Sequence, residues 1–273
     1  MVSEKISKKR YKFNLEFYLR IISIPLFFLL WYLLFEYLGH YRIPSPITVF
    51  RIFFPTILDS PKLAMAGGGR EGFLPHIIST LYKTLAGFTL GSILGVGLGI
   101  AMKWFKWLDS SLSLPIDFLR VMPPLAFVPL LFTIFGRSLF SQIAVIILFA
   151  FLVVVVSTLN AINNVSPICQ KFAITLGATR GQVYRTIVFP SILPELIGAI
   201  RVGIIWAWGY QVIIEMMGAY EGIGKVFLLT KTLNALDLIV VGVLWVIIFA
   251  AIMDTILYLV LRYVTRWQPR VTE

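Results

Sequence analysis

Apolar residues fall along this chain in long runs separated by short basic or proline-rich stretches, and six of the runs approach the length of a bilayer. They cover about 19–39, 84–102, 114–135, 139–162, 196–218 and 238–263. A helix that crosses hydrocarbon needs roughly 20 mostly apolar residues, because lipid cannot satisfy backbone N–H and C=O groups. The pattern predicts an all-α polytopic membrane protein of about six spans. The third run holds Pro123, Pro124 and Pro129. Each proline removes a backbone donor, so a bend or break is expected there, either lining a pathway or ending a short amphipathic helix over about 107–120. The first run follows a basic N-terminus yet is too long for a secretory leader and lacks a small-residue cleavage site, so it reads as a retained helix. Pro44, Pro46 and Pro55 punctuate an amphipathic stretch over about 47–58, which suits a helix lying at the outer membrane interface. Gly67, Gly68 and Gly69 read as a flexible external turn.

Composition sharpens this picture. Of 273 residues 59% are hydrophobic and only 14% charged, against about 25% in soluble domains, which excludes a water-soluble enzyme. The net charge of +11 suits loops beside anionic membrane lipid better than nucleic acid. Fourteen cationic residues, among them Lys103, Lys106, Lys171, Arg180 and Arg185, fall on one side of the predicted spans and eight, Lys83 included, on the other. By the positive-inside rule both termini are cytoplasmic. The expected organisation is a basic cytoplasmic segment over 1–18, a transmembrane domain over 19–263 with a cytoplasmic loop at about 163–194, and a cytoplasmic tail over 264–273.

Little here suggests covalent chemistry. Cys169 is the sole cysteine, and His40 and His76 lie too far apart for a local metal motif. Gly95-Val96-Gly97-Leu98-Gly99 imitates a dinucleotide loop but sits inside an apolar span, without the strand and turn such a loop needs. No Gly-Lys-Ser/Thr sequence occurs, so any ATP that powers the protein is bound by another chain. Gly87, Gly91, Gly95 and Gly99 recur every four residues and stack on one helix face, where another backbone can approach closely.

Two carboxylates lie in apolar runs, where ionisable groups are costly. Glu215 is about 28 Å along the fifth span at 1.5 Å per residue, near its outer end, and suits an interfacial structural carboxylate or a substrate or gating role. Asp254 suits a packing hydrogen bond or ion pair, with Arg262 two turns on. Trp206 and Trp208 read as packing aromatics. Arg120 and Arg201 could contribute to a basic path or anchor lipid headgroups at the cytoplasmic end.

The segment over 163–194 is polar and patterned. Lys171-Phe172-Ala173-Ile174-Thr175-Leu176 precedes Gly177, and Thr179 after Ala178 is a good N-cap for a helix from Arg180 to Ile187. A helix, turn and helix fixed to two spans forms a rigid cytoplasmic elbow on which a motor subunit could push.

At these residues the chain resembles the transmembrane subunits of binding-protein-dependent ABC importers. Their loop signature, Glu-Ala-Ala, three residues, Gly, nine residues and Ile-x-Leu-Pro, is matched in spacing by Lys171-Phe172-Ala173, Gly177 and Ile187-Val188-Phe189-Pro190, with Glu, the first Ala and Leu replaced. Pro44-Ser45-Pro46, Gly87-Phe88-Thr89-Leu90-Gly91, the stretch over 119–126, Leu176-Gly177-Ala178-Thr179, Glu215-Met216-Met217-Gly218-Ala219 and Gly222-Ile223-Gly224 resemble the nitrate, bicarbonate, taurine and sulfonate permeases. The resemblance implies a type I permease fold in a bacterial inner membrane and a homodimer that receives solute from a periplasmic or lipid-anchored solute-binding protein. It implies a separate ATP-binding subunit holding ATP and magnesium, with no cofactor, catalytic residue or metal in this chain. Lys171, Phe172, Ala173, Leu176, Gly177, Ala178, Thr179 and Arg180 would couple to that subunit. Met122, Pro123, Pro124, Trp208 and Glu215 are candidates for the translocation path. A small oxyanion is the expected solute, with riboflavin or a thiamine precursor as other members of the broad family's range. An ion-coupled secondary transporter using Glu215 or Asp254 is the rival. Against it stand the missing inverted repeat, the few intramembrane carboxylates and the helical loop.

Overall fold

A computed structural model describes residues 2–39 and 41–266, with side chains from Tyr18 onward except Arg20; His40, the tail over 267–273 and the side chains of the basic N-terminal segment lie outside the described residues. Helices and turns account for the described residues, with no strand among them. The chain divides into two compact units, residues 1–73 with 229–244, and residues 74–228 with 245–273.

In the first unit, α1 (Val2–Leu38) carries the first apolar run and contains Pro25. Its side chains from Ile21 to Leu34 are mostly exposed apolar groups, as lipid contact requires. Three short helices follow, α2 (Pro46–Phe53), α3 (Pro55–Leu58) and α4 (Pro61–Met65). Each begins on a proline, whose missing N–H costs nothing in a first turn. Ser45 caps α2 by accepting from the Thr48 N–H at 3.2 Å, and Ser60 caps α4 through the Leu63 N–H at 3.3 Å. Trp31 Nε1 donates to the Pro44 carbonyl at 3.1 Å, and the Phe28 and Phe50 rings meet at 5.5 Å. The amphipathic stretch is thus helical, with α2 packed on α1.

The second unit holds α5 (Leu74–Trp104), α6 (Lys106–Val121), α7 (Val128–Phe135), α8 (Leu139–Asn164), α9 (Pro167–Thr175), α10 (Arg180–Val183) and α11 (Phe189–Met216). A 3-10 turn (Pro124–Phe127) leads into α7, and a π-helical turn (Tyr184–Val188) joins α10 to α11. Two further helices, α12 (Ile223–Thr232) and α13 (Leu236–Val264), each divide their residues between the units.

The glycine stripe organises the second unit. A Cβ on Gly87 would fall on Ile146, on Gly91 on the Ile147 carbonyl and Ala150, on Gly95 on Phe151 and Val154, and on Gly99 on Thr158. The four glycines let α8 lie directly on α5. Rising numbers on one helix meet rising numbers on the other, so α5 and α8 run parallel. That direction settles the third apolar run, because the chain must return from the end of α5 to the side where α5 began before α8 can start. Residues 106–135 make that return as a broken pair, α6 and then the 3-10 turn with α7, bent by 89° at the Pro123-Pro124 step. The expected third span is therefore not one helix starting at 114. At the prolines an amphipathic helix stops at Val121 and the apolar run bends.

Among the described residues five helices are long and apolar enough to cross a membrane, up to six crossings if the bent pair counts as one. Two spans start earlier than the hydropathy pattern suggested. α5 begins at Leu74, which puts Lys83 inside the helix instead of in an external loop. The helix after Thr179 does not end at Ile187 but runs on through the π turn as α11, with Pro190 in its first turn and Pro194 inside. α11 runs antiparallel to α8, as the Phe149–Tyr210 and Asn164–Glu195 contacts show, and α13 antiparallel to α11.

Candidate functional site

Three places in the second unit gather the residues singled out by the sequence. The first is the elbow between α8 and α11. α9 ends in a Schellman motif: the Ala178 N–H bonds the Ala173 carbonyl at 3.0 Å and the Gly177 N–H bonds the Ile174 carbonyl at 2.9 Å. Gly177 has φ +88°, a left-handed conformation that costs other residues about 1–2 kcal/mol. Thr179 then opens the next helix with a capping box, its hydroxyl accepting from the Gln182 N–H at 3.4 Å and its own N–H donating to Gln182 Oε1 at 2.8 Å. Ala173 and Ala178 pack on a buried cluster that includes Ala161, Ile162 and Val165 from the end of α8 and Val183, Val188 and Ile192 from the start of the next span. The elbow is thereby anchored to both spans. Away from that cluster α9 is open: Ile168, Phe172 and Leu176 follow at four-residue spacing along one side and are 65–76% exposed, and Ile174 is exposed on another side, beside Lys171 and Arg180. Exposed apolar side chains aligned on one side of a helix in a polar loop suit a surface for another protein.

The second place is a groove beside the proline break. Met122, Pro123 and Pro124 line a cavity of about 440 Å³ with Arg120, Phe149, Leu152, Val153, Val156 and Tyr210. It is continued by a neighbouring cavity that shares Phe149, Val153 and Tyr210 and adds Ser157, Ala199, Val202, Gly203 and Trp206. The Phe149 and Tyr210 rings meet edge to face at 4.7 Å, with Trp206 6.3 Å from Tyr210. A broken helix at membrane depth is tolerated against protein or a cavity, and not against lipid tails. Of the two tryptophans, Trp206 is the one at this groove. Trp208 is buried on the opposite side of α11, where its Nε1 donates to the Val246 carbonyl of α13 at 3.2 Å. Its expected place on a path is therefore replaced by helix packing.

The third place is a polar cluster where α5 and α11 meet the turn before α12. Glu215, one residue from the end of α11, is fully buried within the protein. Its Oε2 accepts from Thr80 Oγ1 at 2.9 Å and from the Gly224 N–H at 3.1 Å; its Oε1 accepts from Gln211 Nε2 at 3.1 Å and pairs with the buried Lys83 ammonium at 3.4 Å. Lys83 also donates to the Glu221 carbonyl at 2.9 Å. The Ile223 N–H donates to Thr80 Oγ1 at 3.0 Å and the Gly222 N–H to His76 Nδ1 at 3.3 Å. Side chains of α5 and α11 thus accept the N–H groups that open α12. The glycines are dictated by this arrangement: a Cβ on Gly222 would fall on the Glu215 carboxylate, and one on Gly224 on the Val212 carbonyl. Thr80, Lys83, Gln211 and His76 were not expected here, although His76, Thr80 and Lys83 continue the glycine stripe at helical spacing.

Arg201 and Arg120, also singled out by the sequence, find carboxylate partners. Arg201 grips Asp254 through two bonds of 2.5 and 2.6 Å and lies 5.2 Å from the Tyr258 ring, and Arg120 pairs with Asp117 at 3.1 Å. Arg201 is thereby a helix-to-helix link between α11 and α13 and not a headgroup anchor, and Arg262 is not the partner of Asp254. Among the described residues no cluster of three metal-ligating side chains occurs.

With this geometry in place, known proteins supply the context. Residues 87–269, more than half of the chain, match the family described as binding-protein-dependent transport system inner membrane component. A probable ABC transporter permease protein of Brucella abortus (strain 2308) is 29% identical over 240 residues, covering 88% of this chain and 91% of that protein. The taurine transport system permease protein TauC of Escherichia coli (strain K12) is 26% identical over 234 residues, covering 82% and 85%. Among solved structures, an inward-facing conformation of the MetNI methionine ABC transporter aligns with a TM-score of 0.61 at 20% identity, over 71% of this chain and 96% of that one. The chain is a multi-pass membrane protein and belongs to the family of binding-protein-dependent transport system inner membrane components.

Proposed function

We propose that this chain is the permease subunit of an ABC importer and that its α9 elbow receives the motion of a separate ATP-binding subunit. The observation that carries the reading is the two-faced elbow: Ala173 and Ala178 are seated against both adjoining spans, while Ile168, Phe172 and Leu176 present an open apolar face. A push on that face moves α8 and α11 as one rigid group, since Gly177 and Thr179 fix the angle between α9 and the next span. ATP binding closes the partner subunits, the elbow shifts, and paired permeases pass from inward-open to outward-open; hydrolysis resets them. A solute-binding protein delivers the solute, and two copies of this chain enclose its path along the groove of Met122, Pro123, Pro124, Trp206 and Tyr210. ATP and magnesium are held by the partner, so this chain is not itself an enzyme.

The solute is best taken as a small oxyanion, the class that includes the taurine named for the E. coli relative. The aromatic and aliphatic groove favours an oxyanion with an organic body, such as a sulfonate, over nitrate or bicarbonate. Lys103, Lys106, Lys171, Arg180 and Arg185 fall at the elbow's end of the second unit, which supports a cytoplasmic position for that end.

The exposed Cys169, the chain's sole cysteine, sits on α9 and reports directly on this reading. A membrane-impermeant maleimide is expected to label it in inside-out vesicles and not in intact cells, and an associated ATP-binding subunit should slow that labelling. Labelling from outside, or at a rate indifferent to the partner, would contradict the proposal.

A further inference from the structure

One cavity is used neither by the elbow's outer face nor by the groove. About 320 Å³ in volume, within the range of small-molecule sites of about 300–1,000 Å³, it lies between the end of α5 and the start of the α10–α11 span. Its walls are Ile100, Trp104, Val188, Phe189 and Ile192, and its mouth carries Gly181, Tyr184 and Arg185. Trp104 is the last residue of an apolar membrane helix, its ring meets that of Tyr184 edge to face at 5.0 Å, and the Tyr184 hydroxyl donates to the Lys103 carbonyl at 3.2 Å. Paired Trp and Tyr at the end of a span belong to the headgroup level of a bilayer.

The mouth is cationic, and its guanidinium groups are open to an external anion. Arg201, Arg120, Lys83 and Lys62 each have a carboxylate within ion-pair distance, and Lys103 has Asp109 at 3.6 Å. No carboxylate among the described residues lies within that distance of Arg185 or Arg180, both exposed; Arg180 instead rests 5.3 Å from the centre of the Trp104 ring. An apolar crevice that opens at the membrane surface beneath two uncompensated guanidinium groups matches one kind of molecule, with a hydrocarbon tail and an anionic phosphate. Guanidinium also suits a phosphate diester through paired N–H donors.

We infer that this cavity binds an anionic phospholipid of the surrounding bilayer, with one acyl chain against Ile100, Phe189 and Ile192 and the phosphate held by Arg185 with Arg180. The occupant sits against the π turn, at the root of the span that carries the elbow. It would stiffen the joint between α5 and α11 without entering the groove.

Native mass spectrometry of the full-length protein in mild detergent tests this directly, with phosphatidylglycerol and phosphatidylcholine of identical chains as probes. The wild-type chain is expected to retain phosphatidylglycerol in preference. Arg185→Gln should lose about fivefold of that preference, the effect of one cation at a membrane surface. Gly181→Phe, which keeps both arginines and blocks the mouth, should lower retention of both lipids, while Arg262→Gln, at the end of α13, should change neither. Equal retention of the two lipids by the wild type, an unchanged preference in Arg185→Gln, or an equal loss in Arg262→Gln would overturn the assignment.

Discussion

A carboxylate in an apolar helix is tolerated when every one of its lone pairs is answered, and Glu215 meets that condition with Thr80, Lys83, Gln211 and the Gly224 N–H. Replacing it by glutamine keeps the volume but leaves the buried Lys83 ammonium only the more distant and exposed Glu221 carboxylate at 3.9 Å, and turns an amide NH₂ toward groups that are themselves donors. Breaking such a pair from one side costs about 3–5 kcal/mol. Glu215→Gln is therefore expected to lower the thermal midpoint of the purified protein sharply, and Lys83→Met to do likewise. The double variant should cost less than the sum, by about 0.5–3 kcal/mol, because the two share one interaction. Additive losses, or a Glu215→Gln protein as stable as the wild type, would contradict the cluster. The sequence marked Glu215 as unusual and allowed it a structural role, but did not identify Lys83 or the turn before α12 as its partners. Glu215 lies near the end of α11, as depth along the span indicated, and the turn over 217–222 and the start of α12 fold back over it. Lys83 was hidden for a related reason, since a lysine beside an apolar run looks like a loop residue until the helix is seen to start nine residues earlier. Trp206 and Trp208 could not be separated because residues two apart lie on nearly opposite helix faces, and sequence alone does not say which face is packed.

Between elements, the clearest legible signal was the four-residue spacing of Gly87, Gly91, Gly95 and Gly99. In lipid no hydrophobic force drives helices together, so close backbone approach has to supply the packing. The spacing announced such an approach but not its target, which is α8, itself long and apolar with no marker of its own. Gly91→Leu places a side chain on the Ile147 carbonyl and Ala150 and should force the helices apart, costing about 1–3 kcal/mol or more and depressing the yield of folded protein. Gly97, on the same helix with open space around its Cβ position, is the internal comparison: Gly97→Leu should be tolerated, since glycine is the poorer helix former by roughly 1 kcal/mol. Equal yields from the two variants in a detergent stability assay would show that the stripe is not the contact. The elbow was legible in outline through Gly177 and Thr179, whose conformational and capping preferences are local. Its continuation into α11 was not, because Pro190 and Pro194 suggest an interruption that the first turn and the π turn absorb.

Over the whole molecule, run length gave the membrane class and most of the spans, while the third crossing needed the parallel packing of α5 and α8 to be recognised. The charge pattern grouped Lys103, Lys106, Arg180 and Arg185 on one side, and the structure brings Lys103 and Trp104 against Tyr184 and Arg180 at one end of the second unit. The solute was least legible, since the groove lining is contributed by α8, α11 and the proline break in combination, and its aromatic residues are individually ordinary. The central claim is that this permease works under the drive of another subunit's ATP hydrolysis, through the apolar face of α9. Affinity purification of the tagged chain from its host in mild detergent, with the bound proteins identified and their amounts measured, tests this most directly. The account predicts an ATP-binding cassette subunit in roughly equal amount, lost when Phe172 is replaced by Asp. A chain that purifies alone and moves solute into liposomes without ATP would contradict it and establish an ion-coupled transporter instead.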